Sequence, residues 1–314
     1  MLRYVLRRVI AIAAILVGLS VLIFAITQIL PGNVARIIAG QFATPDMIAG
    51  IEEKLGLNAP YHVQYLRWAS GVLQGDLGTS LILEQPIGPV LWEALWNSAK
   101  LAIVAFVVVT IVGIGLGVVS AVRQNSALDH GASIFSYLGI SVPEFFWGIV
   151  FILVFARWLQ WLPAGGVPDD SASFVDKLSY IILPAATLAF ALIAHVSRMT
   201  RSSMVGVLGS QYVRYARAKG MSERTVILRH ALPNALLPTI TVLAIDVGWL
   251  IGGVVVTETV FAYPGLGRAL IFAIERHDLP MIQASALIIA AIYCSANLVA
   301  DLLYAYFNPK IRYG

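Results

Sequence analysis

A basic segment, RMTRSSMVGVLGSQYVRYARAKGMSERTVILRHALPNALLP at residues 198–238, interrupts an otherwise apolar chain. It carries seven Lys or Arg side chains against a single acid, Glu223. A charged run of this length crosses a membrane core only at high cost, and its positive sign places it on the cytoplasmic side. The sequence therefore predicts a cytoplasmic elbow at residues 198–238. Charge alone does not separate an elbow that contacts another protein from a positive-inside anchor without a partner.

The elbow has the local pattern of a short helix, a turn and a second helix. Residues 211–219 suit a helix, and Gly220 suits its end because glycine accepts the left-handed backbone conformation. Ser222 is then placed as an N-cap, with Glu223 in the first turn of the next helix. Pro233 restricts the backbone around it, because proline fixes its own φ angle and cannot donate a backbone hydrogen bond.

Composition indicates a polytopic membrane protein. Of the 314 residues, 59% are hydrophobic and 12% are charged, whereas soluble domains carry about 25% charged residues. The Lys and Arg residues cluster near predicted helix ends. They are not interleaved with aromatic side chains of the kind that stack on nucleobases, so we expect membrane lipid and no nucleic acid as a partner. The single cysteine, Cys294, excludes a disulfide within the chain.

Six apolar runs are long enough to span a membrane, which predicts an all-α fold with about six transmembrane helices and both termini in the cytoplasm. The third run is interrupted by Pro143 and Glu144. Assigned cytoplasmic segments hold thirteen Lys or Arg residues and outer segments seven, with Lys100 at a boundary, in agreement with the positive-inside rule. The predicted spans cover residues 9–30, 101–122, about 131–156, 178–196, 236–260 and 281–307.

The predicted spans divide the chain into three parts. Residues 1–30 form a cytoplasmic tail and the first span, 31–97 an extracytoplasmic segment, and 98–314 a core of five spans with the cytoplasmic loop at about 198–235. In the extracytoplasmic segment, Pro45 after Thr44 predicts an amphipathic helix to about Leu55. A second helix opens at residues 58–60, and 75–78 form a turn. This segment is predicted to be a structural cap on the outer leaflet, with a lip that seats an external partner as the alternative.

Sequence patterns of catalysis are missing from the chain. None of its five lysines precedes Ser or Thr, so it has no P-loop, and it contains neither the HExxH zinc motif nor a GxSxG nucleophile elbow. No catalytic or metal-binding residue is therefore predicted. Polar side chains inside the spans have three open roles: hydrogen bonding between helices, lining of a solute path, or a proton relay. They are Glu144, His195, Asp246, Glu258 and Asp301.

The elbow resembles the cytoplasmic EAA loop of ATP-binding cassette (ABC) importer permeases. That pattern is Glu-Ala-Ala, three free positions, Gly, nine free positions, Ile, one free position and Leu-Pro. Ala216, Gly220 and the pair Leu232–Pro233 fall on the pattern at the same spacing. The departures are Arg214 and Tyr215 in place of Glu-Ala, and His230 in place of Ile.

The departures match the peptide/nickel branch of the family, and the similarity to that branch runs nearly end to end. Matching blocks are MLRYVLRR at residues 1–8, LPG at 30–32, LGL at 55–57, GDLG at 75–78, RMTRSSM at 198–204, TETVF at 257–261, YPGLGR at 263–268, DLLY at 301–304 and NPKIR at 308–312. One block would be a weak sign, but this many in order is specific.

The resemblance implies a type I ABC importer permease fold in the inner membrane of a prokaryote. It also implies three kinds of partner: a second homologous permease chain, two ATPases and an extracytoplasmic solute-binding protein. The resemblance implies no cofactor in this chain, because ATP and Mg would bind to the ATPases. The cargo implied is a di- or oligopeptide, with nickel or a metal chelate as the alternative. A proton-coupled secondary transporter is the alternative of another class.

Residues 212–220 would then be the coupling helix that docks on an ATPase and receives its closing motion. The coupling residues implied in this way are Arg214, Tyr215, Ala216, Arg217, Ala218, Lys219, Gly220, Leu232 and Pro233. Candidates for the translocation path, or for polar contacts between helices, are Glu144, Asp246, Glu258 and Asp301.

Overall fold

The structure is a computed structural model that describes residues 2–29, 44–55, 58–168 and 171–307. Every named element in these ranges is a helix, apart from one isolated bridge between Thr79 and Pro86, so the predicted all-α class is confirmed. The blocks at residues 30–32, 56–57 and 308–312, and the expected cytoplasmic C-terminus, lie outside the described residues.

Thirteen α-helices follow one another in the described part of the chain, and three π-helical turns continue some of them. The turns are Val109–Gly113, Ile152–Trp158 and Val226–Ala231. The helices are α1 (Leu2–Ile29), α2 (Pro45–Leu55), α3 (Tyr61–Leu73), α4 (Ile87–Val108), α5 (Ile114–Val122), α6 (Ala127–Ser141), α7 (Glu144–Phe151), α8 (Phe174–Leu208), α9 (Gln211–Ala218), α10 (Glu223–Thr225), α11 (Leu232–Val260), α12 (Leu266–Glu275) and α13 (Leu279–Phe307).

Five helical stretches are long and apolar enough to cross a membrane, and a sixth is a bent pair. The five are Val5–Gln28, Ile87–Val122, Phe174–Leu208, Glu223–Val260 and Leu279–Leu302. These correspond to five of the six predicted spans and confirm the expectation of a multi-pass protein. Cytoplasmic placement of the N-terminus remains a prediction.

The third predicted span differs from a simple interrupted helix. Helices α6 and α7 meet at an angle of 111°, and Pro143 between them has the extended backbone angles φ −57 and ψ 144. The α6 helix also begins at Ala127, earlier than predicted, because Ser126 caps it by accepting a hydrogen bond from the Asp129 amide. Proline disfavours the helical conformation at the residue before it, here Val142, and this breaks the helix.

The fourth span is longer than predicted. Helix α8 begins at Phe174, where the Ser173 hydroxyl accepts from the Asp176 amide at 3.2 Å, and it continues to Leu208. Arg198 and Arg201 therefore lie in the last turns of a helix rather than in a loop. The non-helical part of the elbow is correspondingly shorter.

The chain separates into two compact units. Unit 1 comprises Met1–Asn97 and Gly265–Cys294, and unit 2 comprises Ser98–Pro264 and Ser295–Gly314. The three-part division at residues 30 and 97 remains a prediction.

Unit 1 contains the predicted amphipathic helices α2 and α3 and the predicted turn, in which Gly75 and Gly78 have φ of +86° and +82°. Its core joins the start of α4 to α12 and α13 through buried apolar side chains such as Leu91, Leu266 and Met281. A buried carboxylate, Asp278, accepts from the Ser80 hydroxyl at 2.5 Å and from the Leu81, Ile82 and Met281 amides at 3.3–3.4 Å.

Unit 2 is built around α8, which contacts α5, α6, α7 and α11. Glycines on the facing helices allow close approach. A Cβ on Gly117 would lie 2.5 Å from the Thr200 Cβ and 2.6 Å from the Ser197 carbonyl oxygen, and a Cβ on Gly113 would lie 2.9 Å from the Val196 Cβ. Gly113 and Gly117 thus form a small-xxx-small face that packs closely against α8.

Candidate functional site

The elbow is a short helix held by its apolar face. Helix α9 begins after Ser210 and ends at Ala218, Lys219 is its C-cap, and Gly220 follows with φ +77°. This is the left-handed C′ position predicted from the sequence. On the inner face of α9, Val213 and Ala216 are buried in a cluster. The other buried members are Ala121, Met204, Val226, Ala231 and Ala235.

The opposite face of α9 is exposed and basic. Tyr215 is 69% exposed. Five other residues of the predicted coupling set are also exposed: Arg214, Arg217, Ala218, Lys219 and Gly220. Ala216 differs, since it lies on the buried face and packs inside unit 2 rather than offering a close approach to a partner. The outer face of α9 therefore presents an aromatic ring among cations.

An ion pair braces the turn that follows α9. Arg217 donates to Glu223 from Nη2 at 2.6 Å and from Nε at 3.1 and 3.2 Å. This hydrogen bonding raises the pKa of the Arg217 guanidinium above its ordinary value. Ser222 stands at the predicted N-cap position of α10, but its hydroxyl pairs with that of Thr225 at 2.8 Å instead of a backbone amide.

Leu232 and Pro233, the last pair of the EAA-loop pattern, begin α11 directly after the π-helical turn Val226–Ala231. Leu232 is half-buried and Pro233 is exposed. His230, in the position of the pattern's Ile, is half-buried, and its Nε2 has no hydrogen-bond partner among the described residues.

Three of the four predicted intramembrane acids have specific partners within unit 2. Glu144 accepts from the Thr257 hydroxyl, and Asp246 lies with Oδ1 3.0 Å from Nδ1 of His195. Glu258, fully buried, accepts from the Ser98 hydroxyl at 2.5 Å. Each of these three contacts joins α11 to another helix: to α7, α8 and α4, respectively. The fourth acid, Asp301, is half-buried on α13.

Sequence reasoning missed a fifth acid, Asp129. It is buried, and it accepts from Arg201 through Nε at 2.5 Å and Nη2 at 2.7 Å, from the Asn125 amide at 2.9 Å and from the Ser120 hydroxyl. The signal that could have found it is the capping pattern Ser126-x-x-Asp129. Its partner Arg201 is remote in sequence, so the ion pair is a tertiary feature.

No group of three or more His, Cys, Asp or Glu side chains in the described ranges is placed to hold a metal ion. The geometry instead consists of helix-to-helix hydrogen bonds and one exposed basic helix.

Two models of known protein families match most of the chain. Residues 113–313 match the family described as binding-protein-dependent transport system inner membrane component, and residues 1–86 match the N-terminal part of the corresponding membrane component. A solved amino acid ABC transporter superimposes with a TM-score of 0.48 at 19% identity, covering 71% of this chain and 94% of that one.

Relatives align over almost their whole length. The chain is 38% identical to the dipeptide transport system permease protein DppB of Alkalihalophilus pseudofirmus, with 100% of both chains covered. It is 39% identical to the glutathione transport system permease protein GsiC of Salmonella typhimurium, again over 100% of both. It is 37% identical to the oligopeptide transport system permease protein AppB of Bacillus subtilis, over 99% of both.

These matches make the chain a multi-pass inner-membrane permease component rather than an enzyme, and they imply ATPase and solute-binding protein partners. The chain belongs to the family of binding-protein-dependent transport system inner membrane components, the permeases of ABC importers.

Proposed function

We propose that this chain is one of two homologous permease subunits that import di- or oligopeptides by alternating access. The observation that carries the proposal is identity of 37–39% over essentially the whole chain to permeases named for dipeptides, oligopeptides and glutathione. All three cargoes are peptides. A solute-binding protein would deliver the peptide, and two ATPases would supply the energy.

We further propose that the exposed face of α9 docks on one ATPase. A docking helix must be held firmly by its own subunit, and Val213 and Ala216 anchor α9 in a buried cluster. It must also present recognisable chemistry, and Tyr215 among Arg214, Arg217 and Lys219 supplies an aromatic anchor with steering charge. Motion of the ATPase would then reach α8 and α11, which flank the elbow.

The docking role has a matched pair of test variants. Tyr215→Ala removes an aromatic side chain that is 69% exposed on α9, and Tyr61→Ala removes one that is 68% exposed on α3. Loss of an interface anchor weakens association about ten-fold or more. We therefore expect Tyr215→Ala to lower ATPase association by that factor in detergent, and Tyr61→Ala to leave it unchanged. Equal behaviour of the two variants would refute docking through this face. Ala216 is unsuitable for the test because its substitution would disturb the buried cluster.

Nickel or a metal chelate is the alternative cargo. A bare cation is disfavoured, because the described ranges contain no cluster of three metal-ligating side chains. A metal chelate can be recognised through its organic polar groups, so the substrate experiment below includes one.

A proton-coupled transporter is the alternative mechanism. It would use intramembrane acids that gain and lose protons as they face a path. Glu144, Asp246 and Glu258 each bond to a different partner within unit 2, and this favours structural roles for them. A place on the solute path remains a prediction for these three acids and for Asp301.

The first experiment is affinity purification of the chain from its native membrane in mild detergent. We expect a second multi-pass permease and P-loop ATPases to co-purify. The complex is then reconstituted with its binding protein, and ATP hydrolysis is measured with a dipeptide, a longer peptide, glutathione and a nickel–histidine chelate. Stimulation by peptides supports the proposal, whereas stimulation by the chelate alone assigns the other cargo. Transport by the chain alone without ATP would overturn the ABC mechanism.

A further inference from the structure

Three helices of unit 2 line a small, partly open cavity that has no role in the proposed coupling surface. Its volume is about 80 Å³, and it lies between α5, α6 and the last turns of α8. This volume exceeds the roughly 30 Å³ that one water molecule occupies in the liquid, so the cavity can admit a group of several atoms. Most of the lining surface is apolar, and its polar side chains are Ser120, Ser133, Ser136, Tyr137, Ser197, Arg198 and Arg201.

The charge of the cavity is positive. Asp129 is a buried acid bonded to the lining residues Ser120 and Arg201, and Arg201 neutralises it through two hydrogen bonds. Arg198 is exposed and forms no ion pair with any residue in the described ranges, so it adds a positive charge to the lining. An arginine also has five N–H donors, of which Arg201 uses two on Asp129. Three donors of Arg201 are therefore available to a bound group.

The hydroxyls of the cavity add hydrogen-bonding capacity. Ser197 is buried, and neither it nor Ser133 makes a side-chain hydrogen bond to another described residue. Ser136 donates to the Ala132 carbonyl and Ser120 to Asp129. Two hydroxyl donors and two arginine side chains thus meet in one space. A group with several acceptor oxygens and negative charge satisfies such a set, and a phosphate group has both properties.

The surroundings of the cavity indicate how the phosphate group arrives. Tyr137 lines the cavity, and on the same helix Ile134 and Leu138 are exposed and apolar. These positions suit acyl chains beside a headgroup. Basic pockets between transmembrane helices near the membrane surface are typical binding places for phospholipid headgroups.

We propose that this cavity is a phosphate-group site, occupied by the headgroup of an anionic membrane phospholipid. The lipid would tie α5, α6 and α8 together next to the elbow. Because the site lies outside the exposed face of α9, the proposal stands independently of the coupling role.

The test uses the intact purified transport complex in a maltoside detergent, which contains no phosphate. Three probes are titrated separately: dioleoylphosphatidylglycerol, a galactosyl dioleoylglycerol with the same acyl chains but no phosphate, and inorganic phosphate. Binding is measured from the ligand-dependent shift of the thermal unfolding midpoint and from lipid retention in native mass spectrometry. The variants are Arg198→Gln and Ser197→Ala, which both leave the Asp129–Arg201 ion pair in place. The control is Arg123→Gln, since Arg123 is also exposed but does not line the cavity.

We expect phosphatidylglycerol to bind saturably and the galactolipid not to. Arg198→Gln should weaken phosphatidylglycerol binding about five-fold, Ser197→Ala should weaken it by a similar or smaller factor, and Arg123→Gln should leave it unchanged. Equal binding of the galactolipid, or equal effects of Arg198→Gln and Arg123→Gln, would overturn the site. If Arg198→Gln and Ser197→Ala weaken the binding of inorganic phosphate but not of phosphatidylglycerol, the phosphate site stands and the lipid assignment is overturned.

Discussion

Arg217 and Glu223 form an ion pair across the turn at Gly220, with Nη2 of the arginine 2.6 Å from Oε1 of the glutamate. Both side chains are exposed, so the pair adds little to global stability. Its effect is local, because it joins the end of α9 to the start of α10. The pair holds in place the same turn from which the basic face of α9 projects.

Loss of this brace should loosen the elbow without unfolding the protein. Glu223→Gln replaces a charged acceptor by a neutral one, so we expect an unchanged thermal unfolding midpoint and faster trypsin cleavage after Arg217 or Lys219. Glu93→Gln is the control, because Glu93 is exposed on α4 and has no ion pair in the described ranges. Identical cleavage rates in the two variants would show that the ion pair does not order the turn.

Gly220 has φ +77°, which a β-branched residue adopts only at a cost of about 1–2 kcal/mol. Gly220→Val should therefore raise amide hydrogen exchange across residues 211–222, while Gly220→Asn should be milder because asparagine tolerates this conformation. A Cβ at Gly220 would meet nothing within 4 Å, so the difference reports backbone conformation and not a clash. Equal exchange in both variants would contradict this explanation.

Gly117 and Gly115 lie on the same helix but differ in what surrounds them. A Cβ on Gly117 would lie 2.5 Å from the Thr200 Cβ, whereas one on Gly115 would meet nothing within 4 Å. Gly117→Ala should lower the free energy of unfolding by about 1–3 kcal/mol through overpacking. Gly115→Ala should be neutral or slightly stabilising, because alanine favours a helix. Thermal unfolding in detergent checks the contrast, and similar midpoints would mean that α5 moves away from α8 at little cost.

Asp278 is the hydrogen-bond centre of unit 1. Removing its carboxylate in Asp278→Ala would leave the buried Ser80 hydroxyl and the Leu81 amide without their acceptor. Unsatisfied buried donors cost about 1–3 kcal/mol each, so we expect a lower unfolding midpoint and poor recovery of folded protein. Glu275→Ala removes an exposed acid from the end of the neighbouring helix α12 and should have little effect. Comparable losses in both variants would argue against the role of Asp278.

Burial, together with the charge of Glu258, raises the pKa of Tyr263 from 10.0 to about 12. Between these values the unfolded chain releases the phenolic proton while the folded protein retains it. Stability therefore falls as the pH rises from 10 to 12, and Tyr263 contributes nothing to pH dependence below that window. Tyr263→Phe should make the alkaline part of the stability curve flatter, whereas Tyr61→Phe, at an exposed position, should not. Parallel curves for wild type and Tyr263→Phe would show that the phenol titrates normally.

Local chemistry explains which features of the elbow could be predicted. The end of α9 at Ala218, with Lys219 as C-cap, and the left-handed Gly220 follow from glycine's missing Cβ. The start of α2 at Pro45 follows from proline's backbone restriction. Burial of Ala216 did not follow from the sequence, because the same alanine suits either a docking face or a core. The neighbours Val226 and Ala231 decide it by packing against that face.

Hydropathy, charge and turn chemistry act over a few neighbouring residues, so the helical class, five of the six predicted spans and the basic elbow could be predicted from the sequence. The family was indicated by the blocks that resemble importer permeases along the chain. The 111° angle of the break at Pro143, the extension of α8 to Leu208 and the pairing of Asp129 with Arg201 became visible in the packed helices and not in the sequence. The physical reason is that a buried charge must find an opposite charge wherever the packed helices place one. Arg201 meets Asp129 across 72 positions of sequence, and that distance is closed by helix packing alone.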